Sequence, residues 1–185
     1  EILLGIGGVR ALEALGIKAD VFHTNEGHAG FLGLERMRHH IQDDGLTFDE
    51  AVESVRAGSI FTTHTPVPAG IDRFEVSQIQ HFFDAGLAPD VPVAEILNLG
   101  REDYTDGNPF VFNMAVMGLR LAQRANGVAK LHGVVSRGMF SALWPGFDHS
   151  EVPITSVTNG VHVPTWVDPR VSALARDHFG ADSEE

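Results

Sequence analysis

The sequence predicts an α/β protein in which a parallel sheet is covered by helices. Apolar residues recur at helical spacing in several segments, and short β-branched or apolar runs separate them. The two kinds of segment alternate, and parallel strands require crossovers long enough to hold a helix.

Taken in order, Ile2, Leu3, Ile6, Val9, Leu12 and Leu15 set out a helix over 2–15 that stops at Gly16. Residues 19–23 then read as a short strand, and Leu32, Leu34, Met37 and Ile41 as a helix over 29–41. Thr47-Phe48-Asp49-Glu50 has the form of a capping box and opens a helix to about Arg56. Ser59 to Thr63 is β-rich and runs into His64-Thr65-Pro66-Val67-Pro68, which prolines bar from helix or central strand. Residues 71–108 are expected to be an irregular insertion with a helix over 75–83. Beyond it the pattern predicts a helix over 113–123, a strand over 127–131, a helix over 134–143 and a strand over 154–157. Asp168-Pro169 supplies a cap and a first-turn proline for a helix over 171–179.

The chain has 185 residues, 43% hydrophobic and 21% charged, the balance of one globular domain. Its formal net charge is −12, and no Lys or Arg run supplies a face for nucleic acid or an anionic membrane. With no cysteine, disulfides, thiolate metal sites and cysteine nucleophiles are excluded. The apolar runs are too short for a membrane span, and the first residues lack the basic start of a signal peptide, so a cytoplasmic protein is expected. The sequence opens on Glu1 inside a helical pattern, which reads as an internal piece of a longer chain.

Ligands of open parallel sheets bind beyond the carboxyl ends of the strands. Three loops there combine small polar residues with a histidine: 23–28, 63–66 and 158–162. Their amides, hydroxyls and carbonyls suit a ligand that donates and accepts hydrogen bonds at once, as sugar hydroxyls do; each loop alone could equally be a set of turns and caps. Glu26 could serve as an acid or base, or only as a cap or surface charge. His23 with His28, or His39-His40, are the candidate metal ligands, but neither pair has the one-face spacing of a helical zinc motif; no metal is expected. Gly5-Ile6-Gly7-Gly8 lacks a preceding strand and reads as close helix packing.

Together these loops resemble those of the α-glucan (glycogen, starch and maltodextrin) phosphorylases, in particular the short bacterial and archaeal type. Asn25-Glu26-Gly27-His28 is similar to the family's Asn-Asp-Thr-His loop, and Thr62-Thr63-His64-Thr65 with Pro68 to its Thr-Asn-His-Thr-x-x-Pro segment. Phe112-Asn113-Met114-Ala115, Ala125 to His132, and Asn159-Gly160 with Trp166 follow in the family's order. Thr63 and His162-Val163-Pro164-Thr165 depart from the long enzymes.

The resemblance implies two Rossmann-like domains in the GT-B glycosyltransferase architecture. Residues 1–158 would be the latter part of the first, and 159–185 the crossing into a second whose remainder lies outside this sequence. It implies phosphorolysis of an α-1,4-glucan from its non-reducing end to give glucose 1-phosphate, with pyridoxal 5'-phosphate as cofactor. By the same resemblance the His64 backbone carbonyl and Asn159 hold the 6-hydroxyl of the transferred glucosyl unit. Thr65 lies beside the phosphate, Asn25 and His28 line the pocket, and Trp166 stands near the cofactor phosphate. The only lysines, Lys18 and Lys130, fall outside the family's Schiff-base motif, so the cofactor lysine would lie elsewhere and this piece alone would be inactive. The partners implied are glucan, phosphate and the second domain, with a homo-oligomer left open. Two other readings fit the residues: a nucleotide-sugar glucan synthase of the same architecture, and a non-catalytic carbohydrate-binding domain.

Overall fold

A computed structural model describes residues 1–180. Helix α1 (Ile2–Ala14) ends as the sequence predicts. Gly16 adopts φ +67°, and the amides of Gly16 and Ile17 bond back to Glu13 and Leu12, closing the last turn with a left-handed residue. Of the first three glycines only Gly5 is a packing glycine: a Cβ there would lie 2.8 Å from the Leu32 amide. Gly8 faces open space.

Strand β1 (Phe22–Asn25) lies further along the chain than the predicted 19–23. Its limits are set by pairing with β2 (Ser59–Thr63), in parallel register from Phe22↔Ser59 to Asn25↔Thr62, whereas Ala19 to Val21 remain exposed. Between them lie α2 (Leu32–Asp43) and α3 (Phe48–Ala57). Arg36 of α2 bonds to Ser59 Oγ at 2.7 Å and lies 4.1 Å over the Phe22 ring, tying helix to sheet. Burial pulls its pKa down to about 10, so it stays charged at neutral pH.

The capping box at α3 forms as expected: Thr47 Oγ1 accepts from the Glu50 amide, and Glu50 Oε2 accepts from the Thr47 amide at 2.9 Å. Thr47→Ala is expected to cost about 1 kcal/mol, read as a lower urea midpoint; an unmoved midpoint would refute the cap's contribution.

Residues 71–108 hold more order than the sequence suggests. A 3-10 turn (Pro68–Gly70) leads to β3 (Arg73–Glu75), α4 (Val76–Asp84) and α5 (Val93–Leu99). β4 (Val111–Asn113) pairs with β3 in antiparallel register, Arg73↔Asn113 to Glu75↔Val111. α6 (Met114–Arg120) follows at once.

The strand expected at 127–131 is β5 (Arg124–Gly127), and Lys130 already opens α7 (Lys130–Phe140). The turn is tight: a Cβ on Gly127 would lie 3.0 Å from the Gly133 amide, so the helix returns directly over the strand end and leaves no room to extend it. β6 (Ile154–Ser156), a short α8 (Val163–Trp166) and α9 (Pro169–Phe179) complete the order, with Asp168 capping α9 through the Arg170 amide at 2.9 Å.

The main sheet has the order β1-β2-β5-β6, parallel throughout. One apolar cluster gathers Phe31, Leu34, Met37, Val55, Phe83, Ile96 and Phe112 from the helical side. A second lies against the sheet around Phe61, Phe140 and Ile154. α6 is buried along most of its length and serves both: Met114 and Met117 enter the first cluster, Ala115 and Leu119 the second.

Candidate functional site

In a parallel sheet all strands end on the same edge, so the loops after β1, β2, β5 and β6 emerge side by side in that order. Asn25 is the last residue of β1 and His28 lies in the turn beyond it. His64 and Thr65 directly follow β2. The loop after β6 lies along the end of β5: the Val157 amide bonds to the Gly127 carbonyl at 3.0 Å and the Asn159 amide to the Val128 carbonyl at 3.1 Å. Loops 25–28, 63–65 and 157–160 therefore share one sheet edge. Trp166 is the last residue of α8, with 78% of its surface exposed.

Glu26 is what joins the first two loops. It takes the left-handed conformation, φ +57°, unusual for a residue with a Cβ. Its amide continues the β1–β2 ladder to the Thr62 carbonyl at 2.9 Å. Its carboxylate crosses to the β2 loop, where it accepts the backbone amides of His64 and, at 2.7 Å, of Thr65, and the Thr63 hydroxyl at 3.3 Å. The Glu26 side chain is only 13% exposed, and the His64 imidazole lies 3.7 Å from it. Neither a plain turn cap nor a surface charge describes it: it is a brace between two strand ends. Loop 25–28 also rests on α6, since a Cβ at Gly27 would overlap the Met114 side chain.

A second polar line crosses the sheet. Thr62 donates its hydroxyl to Asn126 Oδ1 at 2.9 Å, and His23 Nε2 lies 2.6 Å from the same hydroxyl oxygen. The threonine's single proton is committed to Asn126, so His23 must donate from Nε2. Sequence patterning assigns no role to Thr62 or to this bridge. Its members stand 39 and 64 residues apart, and no local signal marks such a contact.

The histidines weighed as metal ligands all have protein partners. His28 Nδ1 pairs with Asp72 at 3.0 Å, His39 faces Glu13 and Glu35, and His40 bonds to Asp44 at 2.7 Å. Among the described residues Glu1, His28 and Asp72 bring ligand atoms within 4.8 Å of one another, two of the three residues being exposed. Neither lysine belongs to these loops: Lys130 is exposed at the start of α7, just beyond the end of β5, and Lys18 is exposed just past α1. The loops themselves contain no Lys or Arg. The three loops by themselves thus supply neither a lysine amine for an aldehyde cofactor nor a Lys or Arg for its phosphate.

Comparison with known proteins bears on the same residues. No protein-family model matches the chain. Glycogen phosphorylase of Mycobacterium tuberculosis is 55% identical over 195 aligned residues, covering 99% of this chain and 22% of that protein. The chain is homologous to a stretch of the glycogen phosphorylases. Maltodextrin phosphorylase of Thermococcus litoralis is 42% identical over 97% of the chain and 21% of its own length. Glycogen phosphorylase of Aquifex aeolicus is 39% identical over the whole chain and 26% of its own length. The chain thus spans about a fifth to a quarter of the phosphorylases it matches. Among the described residues no helix is long and apolar enough to cross a membrane.

Proposed function

We propose that this chain is the sugar-side wall of an α-glucan phosphorylase, an enzyme that transfers a glucosyl unit from the non-reducing end of an α-1,4-glucan to phosphate. The observation that carries the reading is the clustering of loops 25–28, 63–65 and 157–160 at one edge of the parallel sheet. These are the loops whose motifs resemble the family's, and homology to the phosphorylases over nearly the whole chain supports the same conclusion.

On this reading residues 1–158 belong to the first Rossmann-like domain of a GT-B architecture, and 159–185 begin the second. The His64 carbonyl and Asn159 approach the sugar 6-hydroxyl from the ends of β2 and β6, Thr65 flanks the phosphate, and Asn25 and His28 line the pocket beside β1. Such groups orient the glucosyl unit and exclude water from it; they do not supply positive charge. Stabilising the transferring phosphate needs cations aimed at it, and these, with the lysine that would hold pyridoxal 5'-phosphate and the Trp166 neighbourhood, fall to the second domain. Bound there, the cofactor would contribute its phosphate group.

Expressed at full length with pyridoxal 5'-phosphate, the protein is expected to form glucose 1-phosphate from maltodextrin and inorganic phosphate. Absence of that product, with the protein folded and cofactor bound, overturns the reading.

A further inference from the structure

We propose that Glu26 is a positioning residue that fixes the direction of the His64 backbone carbonyl, and through it the recognition of the sugar 6-hydroxyl. The proposal rests on the phosphorylase reading above, which gives that carbonyl its ligand.

A trans peptide unit is planar, and its carbonyl and amide point in opposite directions. Among the described residues there is no cis peptide. The unit joining His64 to Thr65 carries both the His64 carbonyl and the Thr65 amide. Holding that amide against Glu26 at 2.7 Å therefore turns the His64 carbonyl away from Glu26. The preceding unit is held as well, because the His64 amide reaches the same carboxylate oxygen. Two consecutive peptide planes are thus fixed by one anion, and bonds from amides to a carboxylate are stronger than those to a neutral acceptor.

The brace is itself anchored. The Glu26 amide is locked to the Thr62 carbonyl, the Thr63 hydroxyl adds a third donor to the carboxylate, and Gly27 is pressed against Met114. The chain beyond Thr65 runs into Pro66 and Pro68, which lack an N–H and cannot extend the strand ladder, so an external acceptor holds the preceding amides.

The test uses the full-length holoenzyme and the variant Glu26→Ala, which removes the single oxygen that accepts both amides; Glu26→Gln would leave that oxygen in place. In the chain-lengthening direction, kcat/KM is measured for glucose 1-phosphate and for 6-deoxyglucose 1-phosphate. The variant is expected to lose about tenfold or more on the first donor, the equivalent of one hydrogen bond, and to change little on the second, so that discrimination between them collapses. Amide exchange in the segment 59–66 should accelerate in parallel. An equal fall on both donors, or unchanged exchange, overturns the proposal and leaves Glu26 a general structural residue. If Glu26→Ala does not fold, Glu26→Asp, which keeps the charge but shortens the reach, decides on the same ratio. A wild-type holoenzyme that uses neither donor overturns the phosphorylase reading itself.

Discussion

Glu35→Ala is expected to lower stability by about 3 kcal/mol, near the bottom of the range for removing one member of a buried ion pair. The Glu35 carboxylate is fully buried and takes Arg10 in a two-point bond, at 2.8 and 2.9 Å, while Arg38 reaches it at 2.7 Å. Arg10 also bonds to the Leu87 carbonyl, so a single carboxylate helps hold α1, α2 and the segment after α4 together. Without it, two guanidinium groups would face each other across an apolar gap. Arg10 is about half exposed and can turn to water, which holds the loss near that lower bound.

The same group predicts an acid limb. Burial pushes the Glu35 carboxyl up, but the bonds and charges of Arg10 and Arg38 outweigh it, and the net value lies below the usual carboxylate range. A carboxylate lowered on folding stabilises the protein above its unfolded pKa, and that stability is lost as pH falls through the folded value. Wild-type stability should therefore decline from about pH 4 downward, and the decline should be shallower in Glu35→Ala. Urea midpoints across this range test it; parallel acid limbs in the two proteins would show that Glu35 is not the group responsible.

Asn113→Ala is expected to be comparably damaging, at about 3 kcal/mol, summing a lost cap with orphaned buried groups. Its Oδ1 accepts the amides of Ala115 and Val116, and its Nδ2 donates to Glu102 at 2.7 Å. Arg73 and the Asn108 amide complete the shell around Glu102. Asn113 and Glu102 are themselves buried, although Arg73 and Asn108 are exposed, so water does not readily take the place of the lost side chain. Asn113→Ser, which can still cap but cannot reach both ways, should recover only part of the stability. Full recovery by serine would show that the Glu102 contact contributes nothing.

What could be read in the sequence was what is encoded locally. Thr47 and Glu50 announce their capping box within four residues, Asp168-Pro169 announces α9, and Gly16 announces the end of α1. The edges of β1 and β5 could not be read this way, because pairing with a strand far along the chain decides them. Val128 and Leu131 suit a strand, yet Lys130 between them opens a helix with no side-chain cap to signal it. The β3–β4 pair joins Arg73 to Asn113 across the stretch that looked irregular. α5 did leave a signal, Pro92 before it, Glu95 in its first turn and Gly100 after it, but its brevity hid it. The candidate site divides in the same way. The motifs at 25–28, 64–65 and 159–160 are local and visible, whereas the reach of Glu26 to the loop after the next strand exists only after folding.

The burial of α6 between two apolar clusters has a consequence for how the molecule comes apart. Neither cluster can loosen without exposing one flank of the same short helix, so the helical side and the sheet side are expected to melt in one transition. Fluorescence from Trp144, which packs on the sheet-side cluster, should then follow the same denaturation curve as the helical signal in circular dichroism.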